Sequence, residues 1–272
     1  MSTNVKNIIT VITEYLSIAQ NKVKNRNILI VGDGDFSFTR VLADGKICNF
    51  GRNIVATSFD TYDDLVKKYT LPLMVETLME LKNNNVELHH GIDATNLSNT
   101  LKRDHLDGDD SGADNNNNSN NNKRFEKIIF NFPHQGGKSN IKRSRKLLVD
   151  FFASAKEQLE PHGDIIVTLA KGQGGTKFEK VKRKYGDTWQ ILEAAAASNF
   201  ILTDCFKWEN MEGYNSSGYR SSSRNFHTRD GVTHIFSQDN FGKINLQPLI
   251  WKHDMSIWIL KEDLFEIKLH NS

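Results

Sequence analysis

An apolar run of strand length stops at two glycines that stand one residue apart. Residues 27–31 read Asn-Ile-Leu-Ile-Val, and a segment with helical character begins after Gly32, Asp33, Gly34, Asp35 and Phe36. Glycines let the backbone turn tightly and approach a ligand without interference from a Cβ atom. The first turn of the helix then presents free N–H groups to that ligand. The pattern therefore predicts the strand, turn and helix that open a nucleotide-type site in an α/β protein.

Strand and helix patterns alternate along the chain after this turn. Predicted strands cover residues 27–31, 53–59, 86–89, 125–130 and 164–169, and two late strands cover 200–208 and 231–236. Predicted helices lie at 39–43, 72–81, 145–159 and 188–198. Apolar strands that alternate with helices predict a doubly wound, mostly parallel sheet, here of seven strands. The last two strands have no helix between them, which predicts an antiparallel edge.

Three segments do not follow this alternation. Residues 1–26 combine an amphipathic helix, with apolar side chains at helical spacing between Val5 and Ala19, and a basic linker. Residues 107–123 form an Asn-rich insertion with too few apolar side chains to offset its ordering entropy, so we expect it to be disordered. Residues 238–272 form a C-terminal segment. The main domain is therefore expected to span 27–237.

Composition restricts the class of protein. The 272 residues suffice for one large α/β domain and a small appendage. Cys48 and Cys205 are far apart in the sequence, which predicts a reducing compartment with no disulfide framework and no metal site. The N-terminus lacks the pattern of a signal peptide, and no apolar run approaches the roughly 18 residues of a membrane span. We expect a soluble intracellular protein with no membrane partner.

Polar residues or glycines follow five successive predicted strands. Parallel strands place their carboxyl ends at one edge of the sheet, where open α/β sheets bind ligands. Beyond the first turn, the residues expected at this edge are Asp60, Asp93, Ala94, Asn131, Pro133, His134 and Lys171. Each of them has a plain alternative as part of a solvated turn or a helix cap. Their common position favours one composite site.

The acidic side chains indicate the charge of the ligand. Asp33 and Asp35 are unfavourable beside a pyrophosphate, no Gly-Lys-Ser/Thr sequence follows, and the third glycine of a dinucleotide fingerprint is missing. A cationic centre joined to a ribose suits this turn better. S-adenosylmethionine has a positive sulfonium and a ribose diol that can donate two hydrogen bonds to a carboxylate. We predict Asp60 at the ribose and Asp93 at the adenine amino group.

The turn after the fourth predicted strand is the expected reacting end of the site. Pro133 fixes this turn and predicts an extended Phe132. The Asn131 side chain and the carbonyl groups of the loop can then face a planar amide or amine. Phe132 or His134 is placed to stack on a base. The plain alternative is an ordinary exit from a strand.

Basic side chains follow this turn. The first group has no acidic residue within it and consists of Lys138, Lys142, Arg143, Arg145 and Lys146. A second group, interleaved with aromatic residues in a later loop, consists of Arg220, Arg224 and Arg229. Cations and aromatic rings beside a pocket suit RNA, whose phosphates are neutralised and whose unpaired bases stack. The plain alternative is a solvated surface, which is also open for residues 177–184.

Five motifs, in order along the chain, resemble one known family. They are GDGDFSF at 32–38, ATSFD at 56–60, GIDAT at 91–95, IIFNFPHQGGK at 128–138 and VTLAKGQGG at 167–175. These motifs resemble the Rossmann-like methyltransferase family of the yeast large-subunit rRNA uridine-N3 methyltransferase. Residues 171–176, with Trp189 and Gln190, are most similar to a branch whose animal members carry a ferredoxin-fold anticodon-binding module. Residues 248–258 resemble the start of that module.

The resemblance implies a class I methyltransferase-like Rossmann fold, S-adenosylmethionine as methyl donor and uridine N3 in RNA as acceptor. rRNA is the favoured substrate and tRNA the alternative, so the nucleolus or the cytoplasm is the expected location. A base or a positive charge near N3 would assist the reaction, and we predict His134 for proton handling and Lys171 for stabilising the uracil anion. A non-catalytic RNA-binding protein on the same fold is the competing hypothesis. A nicotinamide-dependent oxidoreductase is disfavoured by the acidic turn.

Overall fold

The computed structural model describes residues 7–12, 28–44, 51–69, 71–101, 124–136, 140–214 and 228–238. Most of the predicted N-terminal helix, the Asn-rich insertion at 107–123 and the C-terminal segment beyond residue 238 lie outside these residues. Lys138, Arg220 and Arg224, which were predicted to bind RNA, also lie outside them. The sheet and the edge at which the site was predicted lie within the described part.

Seven strands form one sheet in the order β3-β2-β1-β4-β5-β7-β6. The strands are β1 (Ile28–Val31), β2 (Ile54–Thr57), β3 (Glu87–His89), β4 (Phe125–Asn131), β5 (Leu159–Leu169), β6 (Phe200–Lys207) and β7 (Val232–Gln238). β1 to β5 pair in parallel, whereas β7 is antiparallel to both β5 and β6. The prediction of a doubly wound, mostly parallel sheet is confirmed. The antiparallel pairing lies at the predicted edge of the sheet. β6 is the edge strand, and the reversed strand β7 lies between β6 and β5.

Some of the helices begin at side-chain caps that the apolar pattern alone does not show. They are α1 (described at residues 8–12), α2 (Ser37–Ala43), α3 (Tyr62–Lys68), α4 (Leu71–Asn83), α5 (Leu97–Thr100), α6 (Ile141–Gln158) and α7 (Ile191–Ala196). α6 starts at Ile141 rather than at Arg145, because the Asn140 side chain accepts a hydrogen bond from the Arg143 N–H. α3 was not predicted. It has a Thr61 cap but buries only Leu65, so it has no apolar periodicity.

Two hydrophobic clusters lie on opposite faces of the sheet. Leu29 and Val31 of β1 belong to the cluster that α6 and α7 cover. Ile28 and Ile30 belong to the cluster that α2 and residues 8–12 cover. All four residues of β1 are buried, as expected for a parallel strand with helices on both sides. β1 is therefore a rigid support for the glycine turn that follows it.

β5 is longer than predicted. The sequence predicted a helix up to residue 159 and a strand from residue 164, but β5 already begins at Leu159 and includes Pro161. Its pairing with β4 shifts register between Phe125 and Lys127, so residues 160–163 form an irregularity in the ladder. A proline is tolerated there because the irregularity does not require its missing N–H.

The described residues contain neither a membrane-spanning helix nor a metal cluster. None of the described helices is long and apolar enough to cross a membrane. Across the same ranges, no group of three or more His, Cys, Asp or Glu side chains is arranged to hold a metal ion. Cys205 is partly buried, and this burial is the main cause that raises the pKa of its thiol.

Candidate active site

A cleft of about 520 Å³ lies at the carboxyl ends of the parallel strands. This volume falls within the roughly 300–1,000 Å³ of small-molecule sites. The strand order changes direction beside β1, so the cleft occupies the switch point where α/β sheets bind ligands. The predicted site residues that line it are Gly32, Asp33, Gly34, Asp35, Asp60, Asp93, Ala94, Asn131, His134 and Arg143. Four of the five predicted strand ends therefore meet in one cleft.

Thr57 of β2 ties the glycine turn to the sheet. Its carbonyl oxygen accepts a hydrogen bond from the Asp33 N–H at 2.9 Å, and its hydroxyl accepts one from the Gly32 N–H at 3.4 Å. Gly32 has a φ of +65°, and a Cβ atom there would lie 2.9 Å from the Phe130 ring. Glycine is needed at this position for both its conformation and its size. The turn is therefore a fixed part of the cleft wall.

The two aspartates of the turn both support the start of α2. The buried Asp33 carboxylate accepts hydrogen bonds from the backbone N–H and the hydroxyl of Thr39, at 2.8 and 2.6 Å. Burial, reinforced by the charge of Asp35, raises the pKa of Asp33 to about 7. Asp35 accepts hydrogen bonds from the N–H and the hydroxyl of Ser37, at 3.0 and 2.7 Å. The acidic pair thus caps a helix as well as lining the cleft.

Phe36, which was predicted to contact the cofactor, does not line the cleft. Its backbone is left-handed, with a φ of +59°, where the chain turns into α2. Its side chain is fully buried in the cluster that α2 covers, edge-on to the His90 ring at 5.4 Å. Phe36 is therefore a core residue of the structure.

The end of β2 carries a carboxylate and an exposed aromatic ring. Asp60 accepts a charged hydrogen bond from Lys68 at 2.7 Å. Phe59 lines the cleft and is 69% exposed. An open apolar ring beside a carboxylate suits a nucleoside, because the base can stack while the ribose hydroxyls donate to the carboxylate. The sequence prediction missed Phe59, although an aromatic residue directly before Asp60 was a visible signal.

Asp93 is held in a fixed orientation at the end of β3. Its Oδ1 atom accepts hydrogen bonds from the N–H and the hydroxyl of Thr95, at 2.8 and 2.7 Å. This is an Asx turn, in which the side chain replaces a backbone acceptor. Ala94 lies within the turn and also lines the cleft. The carboxylate can therefore face a ligand without losing side-chain entropy on binding.

Asn131 ends β4 with an unpartnered amide. It lines the cleft, and among the described residues neither its Oδ1 nor its Nδ2 atom, both buried, has a hydrogen-bond partner. Leaving a buried polar group unpaired costs about 1–3 kcal/mol. A ligand that brings one donor and one acceptor would offset this cost. Pro133, which was predicted beside it at the reacting end, is buried and does not line the cleft.

Phe132 is not extended, although Pro133 predicted that it would be. Its φ is +49°, and its N–H donates to the Thr168 carbonyl oxygen of β5 at 2.8 Å. Its ring meets the Trp208 ring edge-on at 5.1 Å, and Trp208 contacts Tyr214 at 5.5 Å. Phe38, Phe132 and Tyr214 line the cleft, with Trp208 packed against all three. We call these four residues the aromatic wall.

His134 lines the cleft, and one nitrogen of its ring has a hydrogen bond within the loop. Its Nδ1 atom accepts a hydrogen bond from the Gly136 N–H at 2.8 Å. A neutral imidazole that accepts at Nδ1 carries its proton on Nε2. The Nε2 atom can then donate to a ligand but has no lone pair for taking a proton. This geometry does not support the predicted role of His134 in removing a proton.

Lys171 lies outside the cleft. Its side chain is exposed, and it is not among the residues of the cleft wall. The glycines that follow it pack against the protein's own chain, since a Cβ atom on Gly174 would lie 2.7 Å from the Glu179 carboxylate. The fifth strand end therefore receives another segment of the chain rather than a ligand, and the predicted role of Lys171 has no geometric support.

The described basic residues fall into different environments. Arg143 lines the cleft, whereas Lys142 and Arg229 are exposed outside it. Lys146 forms an ion pair with Asp150 at 2.6 Å. The first turns of α6 thus contribute one cation to the cleft wall and others to the surrounding surface.

Arg145 has a structural role. Its guanidinium donates hydrogen bonds to the carbonyl oxygens of Thr188 and Gly186, at distances of 2.6 to 2.9 Å. These bonds join α6 to the segment before α7. Its predicted contact with RNA therefore competes with an internal role.

The strand order and the cleft define a Rossmann-like fold of the class I methyltransferase type. The family model described as "BMT5-like: rRNA (uridine-N3-)-methyltransferase BTM5-like" matches residues 29–218. The chain belongs to this family.

The chain is also similar to individual proteins and to a solved structure. The chain is 37% identical to the mouse "Ferredoxin-fold anticodon-binding domain-containing protein 1 homolog", over 78% of this chain and 31% of that protein. It is 25% identical to the yeast "25S rRNA (uridine(2634)-N(3))-methyltransferase", over 83% of this chain and 77% of that enzyme. The chain thus spans about a third of the length of the mouse relative and of its human counterpart. The structure of TrmN from Thermus thermophilus is similar at a TM-score of 0.44 and 13% identity, covering 82% of this chain and 47% of that one.

Proposed function

We propose that this protein is an S-adenosylmethionine-dependent methyltransferase that acts on uridine N3 in RNA. One arrangement carries the proposal. The carboxylates of Asp60 and Asp93 lie on one side of β1, and the unpartnered amide of Asn131 lies on the other, in one cleft. Membership of a family named for this activity supports it. The two sides of the cleft then correspond to a cofactor half and an acceptor half.

The residues of the cofactor half fit S-adenosylmethionine. Asp60 can accept hydrogen bonds from the ribose diol if Lys68 shares or leaves its carboxylate. Phe59 offers an exposed ring for adenine, and the fixed Asp93 can accept from the adenine amino group. The acidic glycine turn favours a positive charge at its end of the cleft. These features agree with a cationic nucleoside better than with a phosphate.

The residues of the acceptor half fit uracil. The Asn131 Nδ2 atom can donate to a uracil carbonyl oxygen next to N3, which leaves N3 itself open to the methyl group. The aromatic wall provides a surface on which a base can stack. A base must leave its stack in RNA to reach such a cleft.

The chain's own residues can stabilise the charge that the reaction creates. S-adenosylmethionine, when bound, supplies a methyl group on a positive sulfur, and the products are N3-methyluridine, a neutral thioether and a proton released to solvent. Negative charge develops on the uracil oxygens as N3 loses its proton. His134 can donate from Nε2 to such an oxygen, which is electrostatic stabilisation in the transition state. We therefore assign to His134 the stabilisation of the uracil anion, which the sequence had predicted for Lys171.

The identity of the substrate RNA is a separate part of the proposal. The name of the yeast relative supports rRNA, and the names of the mouse and human relatives keep tRNA as the alternative. With rRNA as the substrate we expect nucleolar residence, and with tRNA we expect the cytoplasm.

Two measurements, made one after the other, test the proposal. Calorimetry should detect S-adenosylmethionine binding, and the absence of binding at millimolar cofactor would rule the enzyme out. Mass spectrometry of nucleosides should then find 3-methyluridine in RNA incubated with the protein and cofactor. A methyl group on another atom, or in no RNA, would contradict the assigned reaction while leaving cofactor binding intact.

A further inference from the structure

A strongly basic segment of the surface lies outside the cleft. Residues 177–187, which we call the basic platform, follow the glycine-rich turn after β5. The platform has five exposed cations, Lys177, Lys180, Lys182, Arg183 and Lys184. The platform also has two acidic residues, of which Asp187 is exposed and Glu179 is buried. The surface of the platform is therefore positively charged.

One end of the platform is anchored by the buried Glu179 carboxylate. This carboxylate accepts hydrogen bonds from the N–H groups of Gly172 and Gly174, the latter at 2.7 Å. Burial raises the pKa of Glu179, and these two hydrogen bonds oppose that effect. A carboxylate is buried only where such partners compensate for its lost hydration. This end of the platform is therefore held against the turn that follows β5, and most of the platform has no regular secondary structure.

The other end is anchored to α6, which also borders the cleft. Arg145 donates to the carbonyl oxygens of Gly186 and Thr188. Arg143, two residues earlier on α6, lines the cleft. The platform is thus joined to the helix whose first turns form part of the cleft wall. A bound chain could contact both surfaces.

The platform exposes apolar as well as charged groups. Phe178, Val181 and Tyr185 are 41%, 39% and 38% exposed. A pit of about 200 Å³ lies beside Val181 and Tyr185, with Lys182 and Arg183 also on its walls. A surface that served only for solvation would not need exposed aromatic rings or a buried anchor. Cations mixed with aromatic rings suit a polyanion that also has flat apolar faces.

We propose that the basic platform is a second RNA-contacting surface, which binds a stretch of the substrate next to the nucleotide held in the cleft. This inference rests on the proposed function, since it takes RNA as the substrate. The cations neutralise phosphates, and Phe178 and Tyr185 stack with unpaired bases. An acidic protein would use the charge but gain little from the two rings, so RNA is the favoured partner.

Removal of two platform charges tests this inference. The variant Arg183→Ser/Lys184→Ser is compared with Arg52→Ser/Lys82→Ser, which removes the same two residue types from exposed positions at the opposite edge of the sheet. Fluorescence anisotropy measures binding of a uridine-rich single-stranded RNA over a range of salt concentrations. We expect the platform variant to bind about tenfold more weakly, with a salt slope lower by about 1.4. The control should bind like the wild type.

A second variant and a second ligand complete the test. Phe178→Ala should weaken RNA binding about fivefold or more with an unchanged salt slope, because stacking is not electrostatic. Lys182→Ser/Lys184→Ser replaces the first variant if thermal unfolding shows that Arg183 is needed for folding. Equal RNA affinity in the platform and control variants would overturn the inference, as would competition by polyglutamate as effective as that by RNA. The affinity for S-adenosylmethionine, measured by calorimetry, should be the same in every variant as in the wild type. If the wild type itself does not bind S-adenosylmethionine, the proposed function fails, and that outcome is distinct from failure of this inference.

Discussion

Asp33 and Asp35 flank the same glycine, but their surroundings differ. Asp33 is buried against Thr39, whereas Asp35 is partly exposed and binds Ser37. Sequence alone predicted both as negative charges that face a cationic ligand. The burial of Asp33 depends on how α2 packs on the sheet, and this packing could not be predicted from the sequence. The type of residue was therefore predictable, but its protonation was not.

The raised pKa of Asp33 predicts a stability that depends on pH. The pKa is 3.8 for an ordinary aspartate and about 7 in the folded protein. Between these values the folded state binds more protons than the unfolded state, so the free energy of unfolding falls as pH rises from about 4 to 7. The Asp33→Asn variant cannot ionise and should lose this part of the slope. Urea unfolding at a series of pH values measures the effect.

Asp35→Asn is the matched control for that prediction, since it removes the neighbouring carboxylate. It should keep most of the pH slope, because burial is the largest cause of the raised pKa of Asp33. The same slope in Asp33→Asn as in the wild type would show that Asp33 ionises normally in the folded protein.

Asp60 should control cofactor affinity. Asp60→Asn keeps the shape of the side chain but removes the charge that can accept two hydroxyl hydrogen bonds, so we expect affinity for S-adenosylmethionine to fall about tenfold or more. Lys68→Met should keep or increase the affinity, because it frees the Asp60 carboxylate from its ion pair. Calorimetry gives both values. Asp63→Asn, an exposed carboxylate on α3, should bind like the wild type, and an equal loss in both Asp60→Asn and Asp63→Asn would contradict a ribose contact.

At the scale of elements, the sequence predicted those that bury a continuous or periodic apolar face. β1 and the later part of α6 are such elements. α3 buries a single leucine, and the start of β5 contains a proline, so neither has the expected pattern. The glycine-rich turn after β5 was predicted wrongly for a different reason. Glycines indicate a close approach, but they do not reveal whether a ligand or the chain's own Glu179 makes it.

The close approach at that turn predicts a position-specific loss of stability. Alanine at Gly174 would place Cβ 2.7 Å from Glu179 and 3.1 Å from His234, both buried. The carboxylate would have to move from its backbone donors, so Gly174→Ala should lower the free energy of unfolding by about 2 kcal/mol or more. Gly186→Ala meets nothing within 4 Å and should be neutral or slightly stabilising. Urea unfolding compares the two, and equal effects would contradict the anchoring role of Glu179.

At the scale of the whole molecule, the site was easier to predict than its individual contacts. Parallel strands share one carboxyl edge, so errors of a few residues in strand bounds still left Asp60, Asp93 and Asn131 in one cleft. The aromatic wall joins residues from three distant parts of the chain, Phe38, Phe132 and the pair Trp208 and Tyr214. No local pattern links these residues. Only the packing of the complete sheet brings them together.

The separation of the cleft into two halves predicts that cofactor binding and chemistry can be lost independently. S-adenosylmethionine at about 100 times its Kd should stabilise the protein by about 2.7 kcal/mol and raise Tm by about 5–10 °C. Asn131→Ala should keep this increase in Tm but transfer methyl groups to RNA at least about 100-fold more slowly, because the amide contacts the acceptor. Gln135→Ala is the control, since that amide also lines the cleft but donates to the Arg143 carbonyl oxygen. If Asn131→Ala abolishes the increase in Tm as well as turnover, the amide belongs to the cofactor half, and if turnover is unchanged, it has no part in the reaction.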